Sequence, residues 1–318
     1  MAMTAPLANA GAPVSLRATG AFRRRQISER IAKAVLGVAA ALSVVTTVLI
    51  VLSLFEPTRE FFSVVSIKEF FTSTRWAPLF EPARFGVWPI VVGTLWVTVI
   101  AILIALPAGL GAAFYLSEYA RPRVRKVVKP ILELLAGVPT IVFGFFALNF
   151  VNPKLVKRFW PVGDVGAYSA LGAGIVTGIM ILPIVASLSE DAMAAVPQSL
   201  RQGAYALGSS KREVCTKVVF KAAISGIVAA TVLAISRAVG ETMIAILASG
   251  AQPNISKNPG KGMETMTAFI GSAGSGDLPT GSTGYKTIFA VGAYLFVVTL
   301  ILNMISIRIV RKFREVYE

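Results

Sequence analysis

The apolar residues of this chain gather into runs of about 20 residues or more, the length a helix needs to cross a hydrocarbon core of roughly 30 Å. These runs predict six spanning helices, at about Ile31 to Phe55, Trp88 to Leu116, Val127 to Val151, Ala167 to Leu188, Val218 to Leu247 and Thr287 to Val310. The first exceeds the roughly 7–15-residue core of a signal peptide and lacks a small-residue cleavage site, so it stays as a span. The fifth is long enough to tilt or to protrude from the bilayer. Residues 1–30 mix Ala, Pro, Gly and Ser with the cluster Arg23, Arg24 and Arg25, and read as a mobile cytoplasmic tail. The connection from about Gly250 to Lys286 is rich in Gly, Ser, Pro and Thr, as an extracytoplasmic loop facing a partner would be, and Met263 to Ile270 can form a short helix within it. The fold class expected is an all-α integral membrane protein.

Composition supports this reading. Of the 318 residues, 55% are hydrophobic and 15% charged, against roughly 25% charged in soluble domains, which argues against a soluble fold. The net charge of +15, from 31 Lys and Arg against 16 Asp and Glu, would by itself suggest a nucleic-acid partner. Position argues otherwise, because the basic residues flank apolar runs. Arg121, Arg123, Arg125, Lys126 and Lys129 follow the second run; Arg201, Lys211, Arg212, Lys217 and Lys221 follow the fourth; Arg308, Arg311, Lys312 and Arg314 close the chain. With the basic tail, these segments are assigned to the cytoplasm, so both termini lie on that side of a cell inner or plasma membrane, with lipid rather than nucleic acid around the chain. Histidine is absent and Cys215 is the only cysteine, which removes the commonest general base, the soft metal ligands and any intrachain disulfide.

Several polar and small residues have local explanations. Gly174 with Gly178, and Gly226 with Ala230 and Ala234, recur at spacing four and allow close helix approach, either within the chain or at a subunit interface. Glu133 follows Lys129 by four residues, the spacing of a local ion pair, and Glu190 and Asp191, ending the fourth run, are expected either in the lipid headgroup region or against basic residues of the segment that follows. Pro139 and Pro183 are kink positions.

Two features remain. The connection Ser189 to Lys217 is too long for a turn and has helical spacing, with Leu200, Ala204, Ala206 and Leu207 as apolar contacts, Gly208 as a terminator, and Ser209 or Ser210 as the next N-cap. Glu213, three residues after Ser210, completes a capping box. An amphipathic interfacial helix would satisfy the same pattern. Inside the fifth run, Arg237 and Glu241 interrupt an apolar helix with opposite charges four residues apart, on one face and in line with Ala230 and Ala234. An ionisable group at mid-membrane costs about 2.5–3.5 kcal/mol on insertion scales, so both must face protein or a cavity. The pair either locks two helices together or lines a pathway.

The segment Arg237-Ala238-Val239-Gly240-Glu241-Thr242-Met243 resembles the signature of phosphate importer permeases, and Leu135-Ala136-Gly137-Val138-Pro139-Thr140 resembles a second segment of that family. The run Gln202-Gly203-Ala204-Tyr205-Ala206-Leu207-Gly208-Ser209 resembles the cytoplasmic coupling motif of ABC importer permeases, with Gln202 and Gly203 replacing the usual glutamate and first alanine, and Phe220-Lys221 standing where Leu-Pro is common. The likeness implies a type I ABC importer permease core over residues 88–312, with a coupling segment at 189–217, a first helix and loop at 31–87, and a short cytoplasmic end at 313–318.

It further implies an importer for inorganic phosphate. Arg237 and Glu241 would form the gate, with support from Ser236, Thr242 and Thr140; Gln202, Gly203, Ala204, Tyr205, Leu207, Gly208 and Ser209 would dock on the ATPase. The implied partners are a homologous permease subunit, an ATPase dimer that binds ATP and Mg²⁺, and an extracytoplasmic phosphate-binding protein. No glycine-rich Walker sequence occurs in the chain, so ATP hydrolysis belongs to a partner and no cofactor is expected here. A molybdate or sulfate permease would share the fold and the coupling segment. An ion channel could use the same charged pair, and a membrane-bound enzyme has no His, cysteine cluster or dense carboxylate motif to work with.

Overall fold

The computed structural model describes residues 20–163, 165–276 and 278–313. The tail expected over residues 1–30 lies outside these up to residue 19; from Gly20 to Arg30 the chain is helical and continues into the first apolar run. That helix, α1 (Gly20–Val64), crosses the division between two compact units, residues 1–53 and 54–318. In the first unit, Leu36, Val38, Leu42 and Leu49 are all exposed, the all-round apolar surface of a helix made for lipid or for another membrane helix.

The second unit begins at Leu54. After α2 (Ile67–Thr72), the strands β1 (Trp76–Ala77) and β2 (Arg84–Phe85) pair antiparallel, Trp76 opposite Phe85. The spanning helix α3 (Trp88–Phe114) starts with Pro89, whose missing N–H costs nothing in a first helical turn, and runs into a π-helical turn at Tyr115–Tyr119. Then come α4 (Pro122–Ala136), α5 (Thr140–Phe146), a π-helical stretch Ala147–Val156 and α6 (Lys157–Phe159). The central helix α7 (Ala170–Ala194) is followed by α8 (Gln198–Ala206), α9 (Lys211–Glu213), α10 (Phe220–Ala222) and α11 (Ile224–Val239). The short α12 (Met266–Gly274) and the long α13 (Thr283–Phe313) complete the order.

Among the described residues, four helices are long and apolar enough to span a membrane by themselves: Arg25–Val64, Trp88–Tyr119, Ala170–Ala194 and Thr283–Arg311. Two of the six predicted spans are broken instead. Pro122–Ala136 bends by 86° from Thr140–Phe159, and Lys211–Ala222 bends by 70° from Ile224–Val239. The third span is therefore not one helix from Val127 to Val151. Gly137-Val138-Pro139 ends α4, because Pro139 disfavours helical geometry in the residue before it, and no residue of α4 is buried. Pro183, by contrast, sits inside α7 without ending it.

The small residues at spacing four pack the chain against itself. A Cβ on Gly174 would lie 2.7 Å from Ile100 Cβ, and one on Gly178 would lie 2.9 Å from the Ala101 carbonyl oxygen, so α7 and α3 approach at backbone distance. Gly226 presses in the same way on Ala192 of α7. Helix α3 connects two further clusters. Ile90 and Val91 at its start join Phe61, Phe70, Trp76, Phe85, Phe269 and Val291, and Ala113 at its end joins Met193, Val196, Val214, Val219 and Ile227. The short helix expected at Met263 to Ile270 is α12, begun by Thr265, whose hydroxyl accepts from Ala268 N at 3.0 Å.

Charges on α4 and at the end of α7 pair differently from the sequence expectation. Lys129 does not join Glu133 along its own helix; it reaches across to Glu190 at 2.8 Å and Asp191 at 2.5 Å, and Arg125 also contacts Glu190. Glu190 and Asp191 thus meet α4 rather than the segment that follows α7. The bend after α4 lays that helix against α7, so spacing along one helix is overruled by contact between two.

Candidate functional site

Helix α11 ends one residue after Ala238, and the turn Gly240–Thr242 separates it from a second helical run, Met243–Ser249. Glu241 occupies this break and is buried, with 2% of its side chain exposed. One carboxylate oxygen accepts from the backbone N–H groups of Met243 at 3.1 Å and Ile244 at 3.3 Å, and the other accepts from Arg237 Nη1 at 3.0 Å. The carboxylate thus caps the second run and holds the guanidinium, which removes its isolation inside an apolar bundle; each hydrogen bond to a charged group contributes about 1.5–3 kcal/mol. Thr267 of α12 donates to the Glu241 carbonyl oxygen at 2.7 Å and ties the break to the loop beyond it.

Arg237 is different. Its side chain is 43% exposed, one terminal nitrogen serves Glu241 and the other lies 3.9 Å from Met180 Sδ, and the residue borders a mostly apolar cavity of about 350 Å³ that also meets Glu133, Pro183, Ser187 and Leu233. A guanidinium carries five N–H donors, so most of this one remains available to an anion. The other proposed pathway residues have their own engagements. Ser236 donates to Asn303 Oδ1 of α13 at 3.0 Å, and Thr242 donates to the Gly240 carbonyl at 3.3 Å with its methyl against Gly271. Thr140 opens α5 beyond the bend, and no hydrogen bond joins it to either charged residue.

The segment after α7 folds as a helix, a tight turn and a second capped helix. Gly208 has φ +82°, a conformation that only glycine adopts readily. Gly208 N donates to Tyr205 O at 2.9 Å and Ser209 N donates to Ala204 O at 3.1 Å, the paired bonds of a Schellman end. Ser210 begins α9 with the expected capping box, its hydroxyl accepting from Glu213 N at 3.3 Å while Glu213 accepts from Ser210 N at 3.1 Å. Gln202, Gly203 and Tyr205 are exposed and Leu207 is 89% exposed, whereas Ala204 turns inward. Leu207 is thus an apolar side chain left almost bare where α8 ends.

Arg201 is a functional candidate that the sequence reading placed only among the flanking charges. It is buried, donating to Met193 O at 2.7 Å and to Val196 O, and it pairs with Glu118 at the end of α3 at 3.1 Å. The side chain therefore fastens α8 to the ends of α3 and α7 together. No local spacing marks this role, because its partner Glu118 lies 83 residues away in the chain. Removing one partner of a buried pair costs about 3–5 kcal/mol, so Arg201→Met is expected to loosen the segment and to lower the thermal unfolding midpoint of the purified chain; an unchanged midpoint would reject this anchoring role.

Residues 105–315 match the family described as binding-protein-dependent transport system inner membrane component. The probable ABC transporter permease protein YqgH of Bacillus subtilis is 33% identical over 290 residues, covering 91% of this chain and 93% of the relative. The phosphate transport system permease protein PstC of Mesorhizobium japonicum is 32% identical over 303 residues, covering 89% of this chain and 90% of its own length. A bacterial ABC transporter that imports the polysaccharide alginate has the same fold, with a TM-score of 0.59 at 14% identity over 92% of this chain and 100% of that one. The inward-facing MetNI methionine ABC transporter gives a TM-score of 0.54 at 18% identity, over 72% and 95%.

Proposed function

This chain belongs to the binding-protein-dependent transport system inner membrane component family, and on that premise we propose that it is one permease subunit of an ATP-driven importer of inorganic phosphate. It is a multi-pass membrane protein of the type I importer fold. The observation that carries the anion reading is the Arg237 guanidinium, held by a buried carboxylate at a helix break while 43% of its side chain stays exposed.

Phosphate competes with Glu241 for the Arg237 fork, whose planar donors match two oxygens of a tetrahedral anion. When Arg237 turns toward the anion, Glu241 keeps its bonds to Met243 and Ile244, so the break stays capped while the gate is occupied. In the absence of substrate, the ion pair limits leakage. One arginine rather than several keeps binding weak enough for release.

The exposed face Gln202, Gly203, Tyr205, Leu207 docks in a cleft of an ATPase subunit, with Ala204, Gly208 and Ser209 shaping the turn behind it. ATP and Mg²⁺ are bound by an ATPase dimer, a homologous permease completes the passage, and an extracytoplasmic phosphate-binding protein delivers the anion. Both termini are assigned to the cytoplasm, a reading supported by the basic residues that flank the apolar runs. The test is uptake of radiolabelled phosphate by the complete complex in proteoliposomes, with sulfate and molybdate as competitors. ATP-dependent uptake displaced by unlabelled phosphate alone is the expected result. Displacement by molybdate or sulfate at equal concentration would reassign the anion, and ATP-independent conductance would point to a channel.

A further inference from the structure

Away from the gate, a cavity of about 360 Å³ opens between the turn after β1, the start of the Gly250–Lys286 connection and α12; its walls include Trp76, Leu79, Phe80, Phe269 and Ser272. The walls are mostly apolar, yet Glu264 projects into it while only 6% exposed, and its carboxylate has no hydrogen bond or ion pair among the described residues. The Trp76 indole N–H, on the same wall, is buried and also lacks a partner. An unpartnered buried carboxylate costs several kcal/mol as an ion, and burial alone pushes Glu264 up to about 8.

The position is fixed from both sides. Glu264 N donates to Gln252 O at 3.1 Å, and its carbonyl lies so close to Gly93 of α3 that no side chain fits there. The next residue, Thr265, caps α12. A pocket held this firmly around one carboxylate selects for shape and charge. No lysine or arginine stands in the lining to balance a phosphate, whereas an entering cation draws the proton off Glu264 and pairs with the carboxylate. A group with an apolar stem and a cationic head fits: the stem covers the apolar walls and the head meets Glu264.

We propose that this cavity is the socket for a single lysine or arginine side chain of the extracytoplasmic binding protein. The assignment rests on the orientation given under the proposed function, which puts the Trp76–Phe85 hairpin and the Gly250–Lys286 connection outside the cell. A soluble partner reaches that face directly, and the exposed Leu79 and Phe80 at the rim supply its apolar margin. The socket also adjoins the gate: three residues after Glu264, Thr267 hydrogen-bonds the backbone of Glu241. Docking therefore fills a site attached to the break that carries Arg237.

The test measures binding-protein affinity for the complete transporter in lipid nanodiscs, with Glu264→Gln beside the unsubstituted complex. Truncating one partner of a buried charged contact predicts a loss of about 30-fold or more, with recovery of the ATPase unchanged. Glu264→Lys should abolish docking, and one Lys→Glu or Arg→Glu change on the binding protein should restore it. Should Glu264→Gln fail to assemble, Ser272→Trp, which closes the exposed mouth, is expected to give the same loss. Unchanged affinity in the variant that assembles overturns the socket while leaving the importer reading intact; an unsubstituted complex that binds no binding protein sinks both. Separation of the two permease halves with docking preserved would assign the cavity to their interface and likewise overturn the proposal.

Discussion

Replacing Arg237 with glutamine should cut phosphate uptake by about tenfold to a hundredfold while leaving assembly and basal ATPase activity in place. The magnitude follows from the loss of one charged donor to an anion, about 1.5–3 kcal/mol, at about 1.4 kcal/mol per factor of ten. Preserved assembly follows from the local geometry. Glu241 keeps its two backbone bonds to Met243 and Ile244, and a glutamine at position 237 still has an amide to offer its remaining oxygen. Initial rates of radiolabelled phosphate entry into proteoliposomes, normalised to reconstituted complex, decide the matter. Normal uptake would reject the gate. The companion change Glu241→Gln leaves Arg237 without a counter-charge and should raise ATP-independent phosphate leak, because the substrate no longer competes with a carboxylate.

The second large effect is expected at Gly208. Its φ of +82° is what lets the chain leave α8 and bond Ser209 back to Ala204. A valine there costs about 1–2 kcal/mol in backbone strain and adds bulk at the docking end. Nothing within 4 Å of the added Cβ would obstruct it inside the chain, so an intact fold with a displaced Leu207 is expected. The measured ratio of ATP hydrolysed to phosphate imported should rise several-fold, or the ATPase should be lost on purification. A tightly coupled Gly208→Val complex would remove the docking assignment. Arg201→Met, which releases the other end of the same helix, should give the milder version of that defect.

How far these sites were legible differs from residue to residue. Arg237 and Glu241 stood out because two opposite charges four residues apart in an apolar run have few tolerable environments, and the structure pairs them at 3.0 Å. The capping box at Ser210 and the glycine-ended turn were equally plain, since both are local chemistry. Arg201 and Lys129 were not. Their partners Glu118 and Glu190 lie 83 and 61 residues away in the chain, and neither spacing nor composition carries that information. Glu264 was passed over within a loop rich in small residues, because only the closing of the hairpin and α12 around it makes its isolation visible.

What the sequence determined alone is the set of quantities that depend on nearest neighbours and on the solvent: which stretches enter lipid, which flanks stay in water, where helices start and stop, and which intramembrane charges need an explanation. What the tertiary structure decided is everything set by approach between distant segments. It turned the bend that Pro139 foreshadows into an 86° fold of α4 onto α7, so that Lys129 abandoned Glu133, and it left Arg237 open while it enclosed Glu241. The reason is physical: hydrophobic length is a sum along the chain, whereas the partner of a buried charge is fixed by whichever opposite group the packed backbone brings within about 4 Å.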